Sequence, residues 1–159
     1  MRTVGCGDGE ADGATRRAIE TMVVALDAYG TMLATEDPDN ELPPRKGLLE
    51  FLDRCRSLQL RICTCSDNDT DALKCDMRET GIPLEYFDAF FQMEKAPMPK
   101  DFRPILDHYI IRPPHLIVIG DRWDMDIQPA ISLGCHYAHI REYWGPGSND
   151  VDLNKILIP

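Results

Sequence analysis

Residues 22–33, with the sequence MVVALDAYGTML, decide the fold of this chain. The apolar, β-branched run MVVAL is typical of a parallel strand that is buried on both faces of a sheet. The run ends in Asp27, and Tyr29-Gly30 then breaks the strand with a residue that permits a sharp turn. Because open α/β sheets keep their sites at the carboxyl ends of parallel strands, we expect Asp27 to lie at a functional site.

Strands and helices alternate along the rest of the chain. Further strands are predicted at residues 60–65, 86–91, 115–120 and 135–140, and helices at residues 45–58, 70–80, 101–111 and 127–133. This alternation predicts an α/β three-layer Rossmann-like sandwich, in which helices flank both faces of a parallel sheet. We predict a core domain over residues 21–141, a disordered amino-terminal tail over 1–20 and a carboxyl-terminal tail over 142–159.

Charge and composition restrict the classes of partner. The net charge of −10 argues against nucleic acid or an anionic membrane as the principal partner. No apolar run reaches the roughly 20 residues needed to span a bilayer, and the amino terminus has no apolar signal core. We therefore expect a cytoplasmic protein without stable membrane insertion. A phosphorylated substrate stays compatible with the charge, because a local cation or metal can outweigh the global field.

Polar side chains follow four of the predicted strands. They are Asp27, Thr64, the loop lysines Lys95 and Lys100, and the acids Asp121, Asp124 and Asp126. Because the carboxyl ends of parallel strands meet at one edge of a sheet, these groups are expected to face one pocket. Carboxylates gathered there repel one another unless a hard cation lies between them, and oxygen ligands favour Mg²⁺.

In this order, the motifs resemble those of the haloacid dehalogenase superfamily over nearly all of residues 22–140. The four matching segments are DAYGTML at 27–33, Thr64 after its strand, Lys95 before PMPKDF at 97–102, and GDRWDMD at 120–126. Any one of these motifs is weak evidence, but four in the right order on alternating strands are strong evidence. The resemblance implies the superfamily's Rossmann-like fold.

The resemblance also implies catalytic roles. Asp27 would attack phosphorus and form an aspartyl-phosphate, which divides one difficult step into two. Thr64 would donate a hydrogen bond to the phosphoryl oxygens. A lysine would hold Asp27 and neutralise developing charge, and we prefer Lys95 to Lys100 for this role while keeping both as candidates.

A magnesium site is implied by the same resemblance. Mg²⁺ would be held by Asp27, Asp121 and the backbone carbonyl of Tyr29, and it would bridge the phosphate. Asp126 also belongs to the implied metal site, where it would steady the lysine or a water on the metal rather than bind directly.

Tyr29 departs from the pattern of the superfamily's phosphatases. Those branches usually have a second Asp at this position, which acts as the general acid for the leaving group. A tyrosine with a pKa near 10 is a poor proton donor at neutral pH, and loss of general acid catalysis typically costs about 10²- to 10⁴-fold in rate. The resemblance therefore implies a phosphate with a good leaving group, such as an acyl or aryl phosphate. The motif DAYGT also matches the true 2-haloacid dehalogenases, in which Asp27 would attack carbon.

A second departure is the missing cap domain. The intervals from Asp27 to Thr64 and from Thr64 to Lys95 are too short for either cap that the superfamily usually inserts. A capless member either accepts a large phosphorylated substrate or borrows a neighbouring copy of the chain as a lid. The substrate would be a phosphorylated small molecule, lipid or protein. Among capless branches, the chain loosely resembles the magnesium-dependent phosphatase and phosphatidylglycerophosphate phosphatase groups.

We predict a magnesium-dependent phosphohydrolase that acts through an aspartyl-phosphate on Asp27. The first alternative is a catalytically degenerate member that binds a phosphorylated ligand or partner, which Tyr29 favours. A less favoured alternative is a 2-haloacid dehalogenase-like hydrolase, against which the missing cap and the acids of the fourth motif argue.

Overall fold

The computed structural model describes residues 22–148, 152–156 and 158–159, so the predicted tail over residues 1–20 lies outside the described part. Five parallel strands form one sheet in the order β3-β2-β1-β4-β5. They are β1 (Val23–Leu26), β2 (Arg61–Ser66), β3 (Ala89–Gln92), β4 (Leu116–Gly120) and β5 (His136–His139). β1 lies at the centre, as expected for a strand with four consecutive buried apolar residues.

Helices cover both faces of the sheet. They are α1 (Leu48–Ser57), α2 (Thr70–Glu79), α3 (Arg103–Tyr109) and α4 (Gln128–Leu133). Val24 and Leu26 of β1 pack in the apolar cluster that contains α1 and α2, whereas Val23 and Ala25 pack in the cluster that contains α3 and α4. The alternation of side chains along the strand thus gives each layer of helices its own core, and the predicted three-layer α/β sandwich is confirmed.

The connections between the first three strands contain no inserted domain. Between β1 and β2 the chain forms a turn, an irregular loop and α1, and between β2 and β3 it forms α2 and a single 3₁₀ turn, Leu84–Tyr86. Within residues 22–148 there is accordingly no cap domain, as predicted. The described part of the chain also contains no helix long and apolar enough to cross a bilayer.

The segment predicted as a carboxyl-terminal tail packs on the domain where the structure describes it. Tyr143 and Leu153 are fully buried. The Tyr143 N–H donates to the Gly30 carbonyl at 2.8 Å, and the Leu153 N–H donates to the Lys46 carbonyl at 3.1 Å. Tyr143 and Leu153 are therefore part of the folded unit, and Leu153 packs in the apolar cluster that contains Val24, Leu26 and α1.

Gly47, at the start of α1, is a sensitive point of this packing. Its φ is +79°, and a Cβ there would lie 1.8 Å from Asp152 Oδ1, whereas Gly81 has a φ of +84° with nothing within 4 Å of an added Cβ. We expect Gly81→Ala to lower the free energy of unfolding by about 1 kcal/mol, the cost of a left-handed backbone. Gly47→Ala should cost at least about 1 kcal/mol more, because Asp152 must move. Urea unfolding of both variants measures the difference in their free energies of unfolding. Equal losses of stability would show that Asp152 moves away from the added Cβ without cost.

Candidate active site

A cleft opens at the carboxyl ends of the central strands, where the sequence predicted a site. Its lining includes Asp27 after β1, Ser66 at the end of β2, Lys100 before α3, and Arg122 and Met125 after β4. These residues come from four separate connections of the sheet. The parallel arrangement brings them to one edge although they are distant in sequence.

A buried lysine joins two acids at the floor of this cleft. Lys100 Nζ lies 2.7 Å from Asp27 Oδ1 and 2.6 Å from Asp126 Oδ1, and all three side chains are buried. Burial by itself lowers the pKa of Lys100, but the Asp27 and Asp126 carboxylates more than offset it and hold the pKa above its ordinary value. Lys100 therefore stays charged and orients Asp27 with a charge-assisted hydrogen bond.

The preference for Lys95 as the lysine beside Asp27 is wrong. Lys95 is exposed on the loop before α3, and the ion pair with Asp27 is made by Lys100. A backbone hydrogen bond explains why Lys100 rather than Lys95 lies beside Asp27. The Lys100 N–H donates to the Met125 carbonyl at 3.0 Å and so fixes Lys100 beside the turn that carries Asp126. No local sequence signal separates the two lysines, because both lie on the loop before the helix.

Asp121 completes a group of three carboxylates. One oxygen each of Asp27, Asp121 and Asp126 lies within 4.8 Å of the others. Thr31 Oγ1 lies 3.2 Å from Asp27 Oδ2 and 3.2 Å from Asp121 Oδ1, so the hydroxyl links two of the acids. Burial, followed by the neighbouring Asp27 carboxyl, raises the pKa of Asp121 to about 7. The group therefore carries repulsion that a cation would relieve.

Two glycines let the backbone approach these acids. A Cβ on Gly30, whose φ is +83°, would lie 2.6 Å from Asp121 Oδ2. A Cβ on Gly120 would lie 2.5 Å from Asp126 Oδ2. Both contacts are shorter than real Cβ atoms allow, so the carboxylates occupy space that only glycine leaves open.

The segment after β4 turns Asp126 back toward the lysine. Residues Trp123–Ile127 form a wide π-helical turn, in which the Ile127 N–H reaches the Arg122 carbonyl at 3.3 Å. The Arg122 N–H in turn donates to Asp126 Oδ2 at 3.1 Å. Asp126 is thus held by a backbone donor on one oxygen and by Lys100 on the other. This contact agrees with the expectation that Asp126 steadies the lysine.

Thr64 does not lie at the cleft, contrary to the sequence prediction. It pairs with Leu26 inside the sheet and is fully buried, with no hydrogen-bond partner for its hydroxyl among the described residues. β2 runs on to Ser66, which points to the same face about 6.6 Å farther along the strand and lines the cleft with Asp27. Sequence reasoning missed Ser66, although its position just before the polar run Asp67-Asn68-Asp69 marks the end of the strand.

Tyr29 lies at the mouth of the cleft with its hydroxyl engaged elsewhere. The hydroxyl donates to Asp76 Oδ2 on α2, and Asn40 Nδ2 donates to the other oxygen of Asp76 at 2.9 Å. Burial raises the pKa of Tyr29, and the hydrogen bond to Asp76 raises it further. The phenol is therefore a weaker acid than a free tyrosine, and its proton points away from Asp27.

Comparison with known proteins finds a family profile and solved structures that this chain resembles. A family profile for haloacid dehalogenase-like hydrolases matches residues 11–134. The fold is similar to an uncharacterized protein from Listeria monocytogenes serotype 4b, with 24% identity and a TM-score of 0.62 over 73% of this chain and 76% of that chain. No curated protein matches the chain.

Two further solved structures show the same fold. A haloacid dehalogenase superfamily hydrolase from Ehrlichia chaffeensis has 16% identity and a TM-score of 0.58 over 75% of this chain and 86% of that chain. A protein from Thermotoga maritima, provisionally named a beta-phosphoglucomutase, has 14% identity and a TM-score of 0.61 over 72% of this chain and 82% of that chain.

Replacing the buried lysine tests the electrostatics of the site. In Lys100→Met, Asp27 and Asp126 lose their counter-charge while they stay buried, so we expect the free energy of unfolding at pH 7 to fall by about 3 to 5 kcal/mol. The matched control Lys95→Met removes an exposed ammonium and should change stability by less than about 0.5 kcal/mol. Urea unfolding without divalent cations measures both. Equal effects would contradict the assignment of Lys100 as the partner of the acids.

Proposed function

The chain belongs to the haloacid dehalogenase-like hydrolases, and from this premise we propose that it is a magnesium-dependent phosphohydrolase that acts through an aspartyl-phosphate on Asp27. The observation that carries the proposal is the ion pair at 2.7 Å between Lys100 Nζ and Asp27 Oδ1. It leaves the other oxygen of Asp27 directed toward Thr31 and Asp121. Lys100 thus holds the Asp27 carboxylate in a fixed position at an open cleft, which a nucleophile requires.

The residues present fit a magnesium ion. When the carboxylates of Asp27, Asp121 and Asp126 are all ionised, the Lys100 ammonium leaves two negative charges for a divalent cation to balance, and such a cation would lower the raised pKa of Asp121. Carboxylate and carbonyl oxygens are the hard ligands that Mg²⁺ prefers. We propose that Asp27, Asp121 and the backbone carbonyl of Tyr29 hold the ion, with Asp126 acting through Lys100. When bound, Mg²⁺ would neutralise phosphate charge that otherwise repels the attacking carboxylate.

The proposed reaction has two steps on Asp27. In the first, an Asp27 oxygen forms a bond to phosphorus while the bond from phosphorus to the leaving oxygen breaks, and the leaving group takes the electron pair. In the second, a water oxygen forms a bond to phosphorus while the bond from phosphorus to the Asp27 oxygen breaks, which restores the Asp27 carboxylate and releases inorganic phosphate and a proton. Lys100 and the Ser66 hydroxyl are the cleft donors proposed to bind the phosphoryl oxygens, with Ser66 in the role that the sequence suggested for Thr64.

The state of Tyr29 supports a restriction on the leaving group. Its hydroxyl donates to Asp76, so it is not oriented to protonate a departing alkoxide. A leaving group that is stable as an anion needs no such proton, so we propose an acyl or aryl phosphate. The name of the Thermotoga maritima relative favours phosphate chemistry over dehalogenation.

Room for the rest of the substrate supports the proposal of a sizeable leaving group. A second cavity of about 490 Å³ adjoins the cleft and shares Tyr29 and Asn68 with it. No cap covers it within the described residues, so a large phosphorylated molecule can enter, or a second copy of the chain can serve as lid. We also propose that the chain is related to the magnesium-dependent phosphatase and phosphatidylglycerophosphate phosphatase groups. We propose a cytoplasmic location for it.

Tyr29 also favours a second candidate function. A member that cannot protonate most leaving groups could bind a phosphorylated ligand or partner without turning it over. The two candidates share the cleft and the metal, so turnover separates them.

Phosphate release tests the proposed function directly. We expect turnover of acetyl phosphate and p-nitrophenyl phosphate with Mg²⁺, no turnover with EDTA, and turnover of glycerol 2-phosphate at least about 100-fold slower because its alkoxide leaves poorly. Asp27→Asn should lower turnover by at least about 10⁴-fold because the nucleophile is lost, with unchanged circular dichroism.

Each contrary result identifies another function. Retained turnover in Asp27→Asn would contradict the proposed nucleophile. If folded protein that still binds Mg²⁺ hydrolyses none of the three phosphates, the result would favour the binding function. Release of chloride from 2-chloropropionate in EDTA would favour dehalogenation.

Introducing a carboxyl group at position 29 tests the role assigned to Tyr29. We expect Tyr29→Asp to raise turnover of glycerol 2-phosphate by about 100-fold, since a carboxylic acid can protonate the alkoxide, with little change for acetyl phosphate. Tyr29→Phe is the control, because it removes the hydroxyl without adding an acid and should leave glycerol 2-phosphate slow. Loss of p-nitrophenyl phosphate turnover in Tyr29→Phe would instead show that the phenol donates a proton.

A further inference from the structure

Behind the cleft, Arg45 is buried against the turn that follows the nucleophile. Its side chain is 2% exposed, one of the largest fully buried side chains of the described residues. Its Nη2 donates to the Gly30 carbonyl at 3.2 Å and to the Arg141 carbonyl. Burying a guanidinium is costly unless hydrogen-bond acceptors compensate, so these carbonyls are required partners of the side chain.

Tyr143 supports Arg45 from the segment after β5. The Arg45 Cζ lies 5.4 Å from the centre of the Tyr143 ring, a cation–π distance. The Tyr143 N–H donates to the Gly30 carbonyl at 2.8 Å, and the Tyr143 hydroxyl donates to the Pro43 carbonyl at 2.5 Å. The Gly30 carbonyl therefore accepts two hydrogen bonds, one from the guanidinium and one from the backbone beside it. We call Arg45 and Tyr143 the clamp.

The clamp acts on the part of the turn that faces the acids. Gly30 packs against the Asp121 carboxylate so closely that a Cβ would lie 2.6 Å from Asp121 Oδ2. Thr31, the next residue, links Asp27 and Asp121 through its hydroxyl. A movement of the Gly30 peptide would therefore displace Thr31 and change the separation of the two carboxylates.

We propose that Arg45 is a positioning residue, which, seated on Tyr143, fixes the Gly30 peptide and thereby the metal-binding geometry of Asp27 and Asp121. The effect that we expect Arg45 to have on turnover rests on the proposed function. The effect that we expect it to have on the turn of residues 28–33 rests on the contacts of Arg45 alone. Arg45 does not touch the substrate, so its loss should weaken metal binding and lower kcat while the KM stays nearly constant.

Arg54 offers a matched control. It also stacks on an aromatic ring, with its Cζ 5.4 Å from the centre of the Phe51 ring, and it also donates to a carbonyl near the end of the described chain, that of Ile156. Its carbonyl acceptor lies outside the turn of residues 28–33, unlike the Gly30 carbonyl, which accepts from Arg45. Arg45→Met removes a buried guanidinium and Arg54→Met a half-buried one, and of the two substitutions Arg45→Met is the one that takes a donor from the turn.

The experiment compares Arg45→Met, Arg45→Lys and Arg54→Met in the full chain, at a temperature where each is folded. For Arg45→Met we expect the dissociation constant for Mn²⁺ to rise by about 10- to 100-fold, the usual effect of losing a residue that orients metal ligands. We expect kcat for p-nitrophenyl phosphate to fall by a similar factor with KM changed by less than about threefold. Amide hydrogen exchange of residues 28–33 should become faster.

The control variants give the expected contrast. Arg54→Met should lower the melting temperature but leave the Mn²⁺ dissociation constant and the exchange of residues 28–33 unchanged. Arg45→Lys keeps a charged donor that reaches fewer carbonyls, so it should lie between wild type and Arg45→Met. If Arg45→Met does not fold, the proposal is decided by Arg45→Lys, which must bind Mn²⁺ more weakly than Arg54→Met.

Failure of the clamp and failure of the proposed function give different results. Equal Mn²⁺ binding and equal exchange of the turn in the Arg45 and Arg54 variants would overturn the clamp, whatever the activity. Weaker Mn²⁺ binding in Arg45→Met from a protein that hydrolyses none of the phosphates would support the clamp and refute the phosphohydrolase. If wild type binds no Mn²⁺, faster exchange of residues 28–33 in Arg45→Met than in Arg54→Met supports the clamp, and equal exchange refutes it.

Discussion

The buried ion pair of Lys100 with Asp27 and Asp126 is the interaction on which the site depends. Two carboxylates taken out of water beside each other would repel, and the ammonium between them offsets that repulsion. The same contact ties the end of β1 to the loop before α3 and to the turn after β4. Charge compensation and the relative placement of three chain segments are therefore one constraint, and Asp121 is left as the acid whose charge still needs a cation.

The register of the sheet turns this constraint into a functional site. Leu26 pairs with Thr64 on one side and with Ile119 on the other, so the residues that follow these strands emerge at nearly the same height. Asp27, Ser66 and Asp121 come together there without any of them being close in sequence. Helices on both faces then bury the strands and leave the carboxyl edge as the open side of the layer, where a phosphate can approach.

The sequence predicted the fold well and the site only in part. Central parallel strands are apolar on both faces, so runs such as MVVAL are readable without neighbours, and Asp27, Asp121 and Asp126 follow directly from the strand ends. Thr64 was misplaced because β2 continues to Ser66, and a strand end is harder to read where Thr, Cys and Ser follow one another. Lys100 could not be separated from Lys95, because its position depends on a backbone hydrogen bond to Met125. The packing of Tyr143 on Arg45 joins residues about a hundred positions apart, and no local pattern in the sequence predicts such a contact.

The two glycines that face the acids, Gly30 and Gly120, have a consequence for which ion the site would accept. They make part of the wall around the carboxylates out of main chain, which cannot swing aside as a side-chain rotamer can. A wall of this kind keeps its dimensions when the occupant changes. Mg²⁺ demands short oxygen distances near 2.1 Å, whereas Ca²⁺ needs 2.3–2.6 Å and more ligands. Discrimination by ionic radius would then be a property of the backbone and of the Arg45 side chain that holds the Gly30 peptide, whereas substitutions of other surrounding side chains would alter affinity without making the site tolerant of the larger ion.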